Sequence, residues 1–506
     1  MSLKFFQIEK PFTRKIWKKL RGSQIPVVSD ESYKNLDGIV VKTNDDLKTK
    51  AYMPSIGHGY LGTQKGVGVT RFLPVLSEID LAVYYHICFV LSDRILENRT
   101  GVFGGWHIIP QSQKRGALSD VDNGDPVHVT TQNPETGRGY EDISATSDIT
   151  AEEEALSFLQ DYFSDPFTST TWLKEWRQFY ALIAELCSQS DIGNYVAQTD
   201  IANFYDSIEI PRLIKNLRRD AHDMEEYIET LEVFLGYWNR RLNGYQFSTK
   251  GIPQEILSDA SRILAHYYLD DFDRRFMEYC NENELTYVRW ADDFLIFGKS
   301  KKGLEAAIHK ASRFLLAQGL NLNSSKTKIF LRSNFAKYRA VDVLMAINND
   351  NKEKFRRELR KIINWNTTNE VRMDSVFRAS IGYVFKLKNS AKTFEKNFLI
   401  ESASTNTQLL FSVNSRQMIN LLYIADDPID FFKMIRSKIL AAPYAGPRAT
   451  FLHMLRKYNN ELIGLGISKR LRLNTIDIIE KNSFDSKIII NICTPPVRNI
   501  IKISKN

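Results

Sequence analysis

Three aspartates border short apolar runs, and their placement suits metal-dependent chemistry. Asp200 ends the run 195–199, and Asp292-Asp293 lie between two β-rich runs. Carboxylates beside apolar residues are costly to desolvate unless another group compensates their charge. A divalent cation is the natural partner, because hard cations prefer carboxylate oxygens. The sequence therefore predicts that these acids meet around metal ions.

An Asp-Asp pair has little specificity by itself, since the chain contains four of them, at 45–46, 270–271, 292–293 and 426–427. The first lies in a polar loop, and the second is expected late in the helix that follows residue 254. The fourth precedes Pro428, which suits the start of a helix. Only the pair at 292–293 has apolar strand residues on both sides, which predicts a β-hairpin with acids at its tip.

An acid at a strand end and two acids at a neighbouring hairpin tip can converge on two Mg²⁺ ions about 4 Å apart. One ion would lower the pKa of an attacking hydroxyl, and the other would stabilise a pyrophosphate leaving group. Phosphoryl transfer needs mainly positioning and charge neutralisation beyond that. The alternative, that the acids cap turns of an ordinary α+β domain, fits any single acid better than it fits the ordered set.

Composition is compatible with this chemistry without requiring it. The chain has 506 residues, 43% of them hydrophobic, which predicts two or three domains with large cores. Its net charge of +8 suits a polyanionic partner but does not demand one.

Neither a metal ribbon, a disulfide framework nor a membrane span is expected. The four cysteines are far apart, at Cys88, Cys187, Cys280 and Cys493. The most apolar stretch, 79–96, contains Asp80, His86 and Asp93, too many polar groups to cross a bilayer. No secretory signal is evident, so a cytoplasmic protein that does not contact membranes is expected.

Three regions of the chain differ in composition and in the elements that they predict. Residues 1–199 are mixed and include a polar, turn-rich stretch at about 101–150 that is expected to be a long loop or insertion. Residues 200–335 alternate strands with helices, and residues 340–506 predict short helices.

Four segments of the middle region resemble the motifs of reverse transcriptases, in family order and with family-like gaps. Residues 199–205 resemble motif A, 251–254 with Ser258 resemble motif B, 289–293 resemble motif C and 319–327 resemble motif D. The resemblance covers roughly 200–330 and extends faintly upstream, to Lys65 and to 71–77, which look like fingers residues. It implies a fingers and palm fold with nucleotidyltransferase activity.

The resemblance also implies roles for individual residues. Asp200 and Asp292 look like the principal metal ligands, with Asp293 in support and the Ile201 carbonyl as a further ligand. The implied cofactor is a pair of Mg²⁺ ions, with Mn²⁺ as a substitute.

Nucleotide contacts are implied in the same way. Phe204 looks like the gate that excludes a ribose 2′-hydroxyl, and Tyr205 is the rival for that role. Gln254 looks like a contact near the nascent base pair, and Lys326 looks like a cation for the pyrophosphate. Two upstream residues, Lys65 and Arg71, look like triphosphate clamps.

The chain departs from the family pattern at two positions. Glu255 stands where a glycine usually follows the motif B glutamine, and Trp290 replaces the usual tyrosine of motif C. A bulky acid beside the template base argues against ordinary templated synthesis.

The C-terminal region has clear local helix signals. Asp427 is predicted to cap a helix that begins at Pro428 and carries the apolar stripe Ile429, Phe432, Ile435 and Ile439. Further helices are expected at about 415–424 and 447–458. Together they favour an all-α, HEAT-like repeat domain.

One helix in this region, expected at 351–365, has a narrow apolar face surrounded by basic residues. Its cations are candidates for contact with a nucleic acid backbone, although a solvated basic face is the alternative. The residues chosen are Arg356, Arg357, Arg360 and Lys361.

A reverse transcriptase palm joined to such a domain resembles the abortive-infection group of bacterial defence reverse transcriptases. That resemblance implies untemplated DNA synthesis from dNTPs, primed by a protein hydroxyl, with DNA left attached to a homo-oligomer. None of the 22 tyrosines is singled out as the primer. Two alternatives stay open: an RNA-templated enzyme of a mobile element or retron, and an inactive palm that serves as an RNA-binding scaffold.

Overall fold

A computed structural model describes residues 45–46, 49–55, 59–66, 69–95, 99–104, 170–239, 246–254, 259–368 and 370–482. Most of the expected insertion at 101–150 lies outside these residues, as do Glu255 and Ser258.

A five-stranded sheet forms the centre of the described fold, with the order β3-β5-β6-β4-β7. Its strands are β3 (Val102–Phe103), β4 (Tyr195–Asp200), β5 (Thr286–Trp290), β6 (Asp293–Gly298) and β7 (Lys328–Leu331). Strand β5 runs antiparallel to β6 and parallel to β3. The predicted hairpin with acids at its tip is confirmed, because the β5–β6 connection contains Asp292.

Alternation along the strands gives the sheet two apolar faces. On β6, Leu295 and Phe297 belong to one buried cluster, whereas Phe294 and Ile296 belong to another. Successive side chains of a strand point to opposite faces, so the sheet is a middle layer between two cores.

Helices cover the face that carries Phe294 and Ile296. They are α1 (Glu78–Ile95), α4 (Ile210–Asp220), α5 (Glu225–Tyr237), α6 (Asp259–Tyr268), α7 (Asp270–Glu282) and α8 (Lys301–Leu316). The expectation that the pair at 270–271 lies late in a helix is wrong, since Asp270 begins α7. Acidic residues there oppose the positive end of the helix dipole, a favourable position for them.

The opposite face packs against α2 (Thr170–Ser188) and the C-terminal helices. The first of these are α9 (Arg332–Tyr338), α10 (Val341–Asn348), α11 (Lys352–Asn366), α12 (Met373–Leu387) and α13 (Thr393–Thr405). The remainder are α14 (Thr407–Ser412), α15 (Ser415–Ile424), α16 (Pro428–Ala441), α17 (Ala445–Lys457), α18 (Asn459–Gly464) and α19 (Lys469–Asn482). One core cluster joins Leu295 on the sheet to Ile479 on the last helix.

The predicted helix start at Pro428 is confirmed. The Asp427 carboxylate accepts hydrogen bonds from the amides of Ile429 and Asp430, at 2.9 and 3.0 Å. Phe432, Ile435 and Ile439 are fully buried, while Ile429 at the helix start is 38% exposed.

A separate hairpin, β1 (Gly59–Gly66) with β2 (Val69–Val75), reaches the C-terminal helices. Leu73 is buried in the core cluster of those helices. Gly446 of α17 lies so close that an added Cβ would meet Thr63 Cγ2 at 2.8 Å. The helices therefore contact both the sheet and this hairpin. No helix among the described residues is long and apolar enough to cross a membrane.

Candidate active site

The sheet brings the three predicted aspartates to one end. Asp200 on β4 pairs with Asp293 on β6 in the strand register, and the Ile201 amide donates to the Asp292 carbonyl at 3.2 Å. Asp200 is 3% exposed, whereas Asp292 and Asp293 are partly buried. Residues almost a hundred positions apart thus share one corner of the fold.

The hairpin turn that carries Asp292 is tightly held. Ala291 adopts a left-handed conformation with φ 51°, and its amide donates to the Phe103 carbonyl at 3.0 Å. Gly104 lies directly alongside, since a Cβ there would meet the Ala291 amide nitrogen at 2.6 Å. Strand β3 therefore braces the turn from the edge of the sheet.

A buried ion pair between Arg289 on β5 and Asp273 on α7 supports the same turn. Arg289 is completely buried; its Nε donates to Asp273 Oδ1 at 2.8 Å, and its Nη2 binds the other oxygen of that carboxylate. The remaining Nη1 donates to the Ala291 carbonyl at 2.6 Å. Tyr287 completes the carboxylate's shell with a hydroxyl at 2.7 Å. Burial disfavours the Arg289 charge, but Asp273 more than compensates and raises the pKa of the guanidinium.

The clustered carboxylates perturb one another. Burial raises the pKa of Asp292 to about 6, and the charges of Asp293 and Asp200 act in the same direction. Burial also raises the pKa of Asp200, against the opposing hydrogen bond and charge of Lys326. Such clustering of unfavourable negative charge is typical of a site built for a cation.

Two cations compensate part of this charge. Lys326, one of the candidate residues from the sequence, forms an ion pair through Nζ with Asp200 Oδ2. Arg372, at the start of α12, places Nη1 3.7 Å from Asp293 Oδ2. No sequence pattern pointed to Arg372, because a single arginine between two helices carries nothing that links it to Asp293.

The aspartates offer carboxylate oxygens, the donors that hard divalent cations prefer. Asp200 Oδ1 is buried and has no hydrogen-bond partner, so one acceptor is left for a ligand such as a metal ion. The described part of the chain contains no group of three or more His, Cys, Asp or Glu side chains already arranged to hold a metal. The other oxygen of Asp200, Oδ2, forms the ion pair with Lys326.

Phe204 and Tyr205 follow Asp200 in the short helix α3 (Phe204–Ser207) and differ in exposure. Phe204 is 4% exposed and belongs to the core cluster behind the sheet, whereas Tyr205 is only partly buried. The Ile252 amide donates to the Tyr205 carbonyl at 3.0 Å, which sets the segment 251–254 beside α3. Gly251 takes φ +90° in this approach, a conformation that favours glycine.

Lys65 and Arg71 are exposed on the β1–β2 hairpin and act electrostatically on the site. Desolvation raises the pKa of Asp206, and the charges of these two residues lower it. Asp206 lies directly after Tyr205, so the hairpin directs both cations toward the segment that follows motif A.

The basic residues of α11 are divided between inside and outside. Arg356 is 8% exposed, and its Nε donates to the buried Glu395 at 2.7 Å, so it is committed to packing α11 on α13. Arg357 and Lys361 keep 64% and 63% of their side chains exposed, although both pair with Glu358. Arg360 lies over the Phe394 ring at 4.2 Å.

Comparison with known proteins identifies the domain that holds this site. Residues 140–368 match the family of reverse transcriptases (RNA-dependent DNA polymerases). The chain is similar to the retron Ec83 reverse transcriptase of Escherichia coli, with 26% identity over 173 residues, which cover 33% of this chain and 53% of that protein. The match thus spans about half the length of this curated relative.

The chain therefore carries a reverse transcriptase domain, in a mixed α+β fold followed by a helical C-terminal region. The prediction of a nucleotidyltransferase of the RNA-directed DNA polymerase class is confirmed at the level of this domain.

Solved telomerase structures show a weaker likeness. Telomerase from Candida albicans, in complex with a TWJ fragment of telomeric RNA, gives a TM-score of 0.25 at 11% identity, over 63% of this chain and 56% of that chain. Apo telomerase from Candida tropicalis gives 0.27 at 10% identity, over 92% and 86%. TM-scores this low do not establish a shared fold over the whole chain, so the domain assignment rests on the sequence match.

Proposed function

We propose that this protein is a DNA polymerase of the reverse transcriptase type, which adds dNTPs to a hydroxyl group. The observation that carries the proposal is the meeting of Asp200 with Asp292-Asp293 at one end of the sheet of a reverse transcriptase domain. Reverse transcriptases generally use divalent metal ions, which would activate the attacking hydroxyl and stabilise the leaving pyrophosphate. Asp200, Asp292 and Asp293 would hold them, with the Ile201 carbonyl as a further ligand.

The side chains around the aspartates have separable tasks in this proposal. Lys326 pairs with Asp200 in this structure. Once a metal ion neutralises that carboxylate, the Lys326 ammonium group would contact the leaving pyrophosphate instead. Lys65 and Arg71 would clamp the triphosphate from the β1–β2 hairpin. Gln254, two residues after the amide bonded to Tyr205, would border the nascent base pair.

Tyr205 is the better candidate for the gate against a ribose 2′-hydroxyl. Phe204 is 4% exposed and committed to the core behind the sheet, so its ring is poorly placed to meet a sugar. Tyr205 is partly exposed and contacts the Phe204 ring with centroids 5.6 Å apart. We therefore move the proposed gate from Phe204, the first choice from the sequence, to its neighbour.

The finer proposal is untemplated, protein-primed DNA synthesis in abortive-infection defence against phage. It is supported by the resemblance to that group and by a helical C-terminal region that shares a core with the catalytic sheet. A cytoplasmic homo-oligomer with DNA attached to the protein belongs to this proposal, as does backbone contact by Arg357, Arg360 and Lys361.

A second candidate is RNA-templated synthesis of the retron kind. The observation that favours it is the similarity to the retron Ec83 reverse transcriptase. It predicts dependence on an added or bound RNA.

One assay separates the two candidates. Purified protein is incubated with Mg²⁺ and labelled dNTPs, without template or primer, and analysed on a denaturing protein gel before and after protease. Label that migrates with the protein and is released by protease is expected for protein-primed synthesis. Extension only after RNA and primer are added would instead support the retron kind.

Catalysis by the aspartates is tested in the same assay with a matched pair of variants. Asp292→Asn should reduce incorporation to background, because it removes one carboxylate charge from the metal site. Asp426→Asn, in an exposed Asp-Asp pair outside the site, should retain wild-type activity. Full activity of a folded Asp292→Asn protein would contradict the proposed function.

A further inference from the structure

Arg372 is the one cation that the C-terminal helices deliver to the catalytic carboxylates among the described residues. Its amide donates to the Tyr338 carbonyl at 2.9 Å, which fixes its backbone against α9. Its side chain is 33% exposed and reaches Asp293 Oδ2 at 3.7 Å. A distance of 3.7 Å is too long for a strong hydrogen bond, so the guanidinium is near Asp293 without being fully committed to it.

The charge of Arg372 is supported independently of Asp293. Asp374 lies two residues further along α12 and interacts with both Arg372 and Arg378; the Arg378 guanidinium is 3.4 Å from its carboxylate. The negative charge of Asp374 therefore still favours the guanidinium when Asp293 is engaged by another cation.

The cations around the site lie on two flanks. Lys326, which precedes β7, pairs with Asp200 on β4. Arg372 meets the carboxylate row at Asp293 on β6, on the far side of β4 from β7. If Lys326 serves the leaving pyrophosphate, as proposed, the Asp293 side of β4 is the side that borders the DNA end with the attacking hydroxyl.

We propose that Arg372 binds the phosphate closest to the 3′ end of the growing DNA strand and so positions the attacking hydroxyl. This inference rests on the proposed polymerase function. Arginine suits the task because its planar donors match two phosphate oxygens and its charge persists at every physiological pH. A cation bound by Asp293 would weaken the contact of that carboxylate with Arg372 and leave guanidinium donors for the phosphate.

The test measures binding rather than turnover. A fluorescent single-stranded DNA is titrated with full-length protein in Mg²⁺ without dNTPs, and its anisotropy gives the Kd. A second oligonucleotide carries an uncharged methylphosphonate at the last 3′ linkage, and a third carries it six linkages upstream. Wild-type protein is expected to bind the second about tenfold more weakly than the first, and the third about as well as the first.

Variants connect this effect to the side chain. Arg372→Gln should bind the unmodified DNA about as weakly as wild-type protein binds the 3′ methylphosphonate, with no further loss from that modification. Arg372→Lys, which keeps the charge but not the paired donors, should fall in between. Arg436→Gln is the matched control, because Arg436 on α16 donates its hydrogen bonds to Asn474 and Thr475 on α19 rather than to the aspartates.

Several outcomes would overturn the inference. Equal binding of the first two oligonucleotides by wild-type protein would exclude a contact with that phosphate, and so would a failure to bind any of them. A folded Arg372→Gln protein that still loses affinity on 3′ modification would assign the contact to another residue. Because wild-type incorporation is measured separately, these results are distinguishable from failure of the polymerase proposal.

Discussion

At the residue scale, the turn that presents Asp292 depends on a charge that water does not reach. Arg289 is fully buried and joins Asp273 to the Ala291 carbonyl. A buried pair of this kind need not add stability relative to apolar residues, but loss of one partner strands the other charge. The pair is better understood as a device that fixes the turn.

Replacement of Arg289 by Met should therefore destabilise the protein strongly. The expected loss in the free energy of unfolding is about 3–5 kcal/mol, because the buried Asp273 carboxylate loses its cation. Urea unfolding followed by circular dichroism measures it. Arg275→Met is the control, since Arg275 is 54% exposed and its ion pair with Asp271 lies at the surface; it should cost less than about 1 kcal/mol. A loss no greater than the control's would show that the pair does not brace the turn.

The adjacent aromatic residues Phe204 and Tyr205 should separate stability from sugar selection. Phe204→Ala is expected to cost about 3–5 kcal/mol of stability, since a large core side chain is lost. Tyr205→Ala should cost less and raise the efficiency of rNTP relative to dNTP incorporation at least about tenfold. Steady-state kcat/KM values for both nucleotide types provide the measurement. Unchanged sugar selection in a folded Tyr205→Ala protein would remove this residue from the gate.

At the scale of elements, two buried histidines make helix packing sensitive to acid. His453 on α17 shares a 2.7 Å hydrogen bond with Ser415 on α15, and burial, with the nearby charges of Lys457 and Arg456, lowers its pKa to about 3. Burial lowers the pKa of His86 on α1 to about 4. Both side chains are therefore neutral in the folded protein at neutral pH.

Stability should fall as the pH drops below 6.5, the ordinary value for histidine. The unfolded chain then takes up protons that the folded chain excludes, so stability is complete above that pH and declines below it. Between pH 6.5 and 5, His453 should contribute a loss of about 1–2 kcal/mol. Urea unfolding across this range should show a shallower decline for His453→Gln than for wild type, whereas His222→Gln, at an exposed position, should follow wild type. An identical slope in His453→Gln would mean that this histidine takes up a proton as readily in the folded protein as in the unfolded chain.

At the scale of the whole molecule, the five-stranded sheet and the C-terminal helices share one hydrophobic core. Leu295 and Phe297 on β6 pack in the same cluster as residues of α10 to α19. The division between 200–335 and 340–506 thus separates two patterns in the sequence while the apolar interior continues across it. The helical region forms the layer that covers one face of the sheet.

A fragment ending at residue 335 is therefore expected to fail to fold cooperatively. It would expose Val196, Leu295 and Phe297 to water, and contiguous apolar patches of that kind favour aggregation. Calorimetry of the full chain should show one main transition for sheet and helices together. A soluble 1–335 fragment with its own sharp transition would show that the palm region is an independent folding unit.

Local patterns in the sequence were sufficient for part of this architecture. The β5–β6 hairpin, the Asp427 cap and the helices near 415–424 and 447–458 all follow from residues close together in the chain. The helix break before Asp270 was missed, because no proline or glycine marks it. The expected HEAT-like repeat and the nucleic acid contacts stay predictions.

The sequence by itself singled out the candidate groups for the chemistry, because Asp200 and Asp292-Asp293 stand out from their apolar neighbours and occur in motif order. Only the tertiary structure decided which of Phe204 and Tyr205 is buried, why Arg356 points inward, and that Arg372 reaches Asp293. Each of these depends on contacts with elements distant along the chain. Hydrophobic periodicity records which face of an element is buried, but it does not record which distant residue lies against that face.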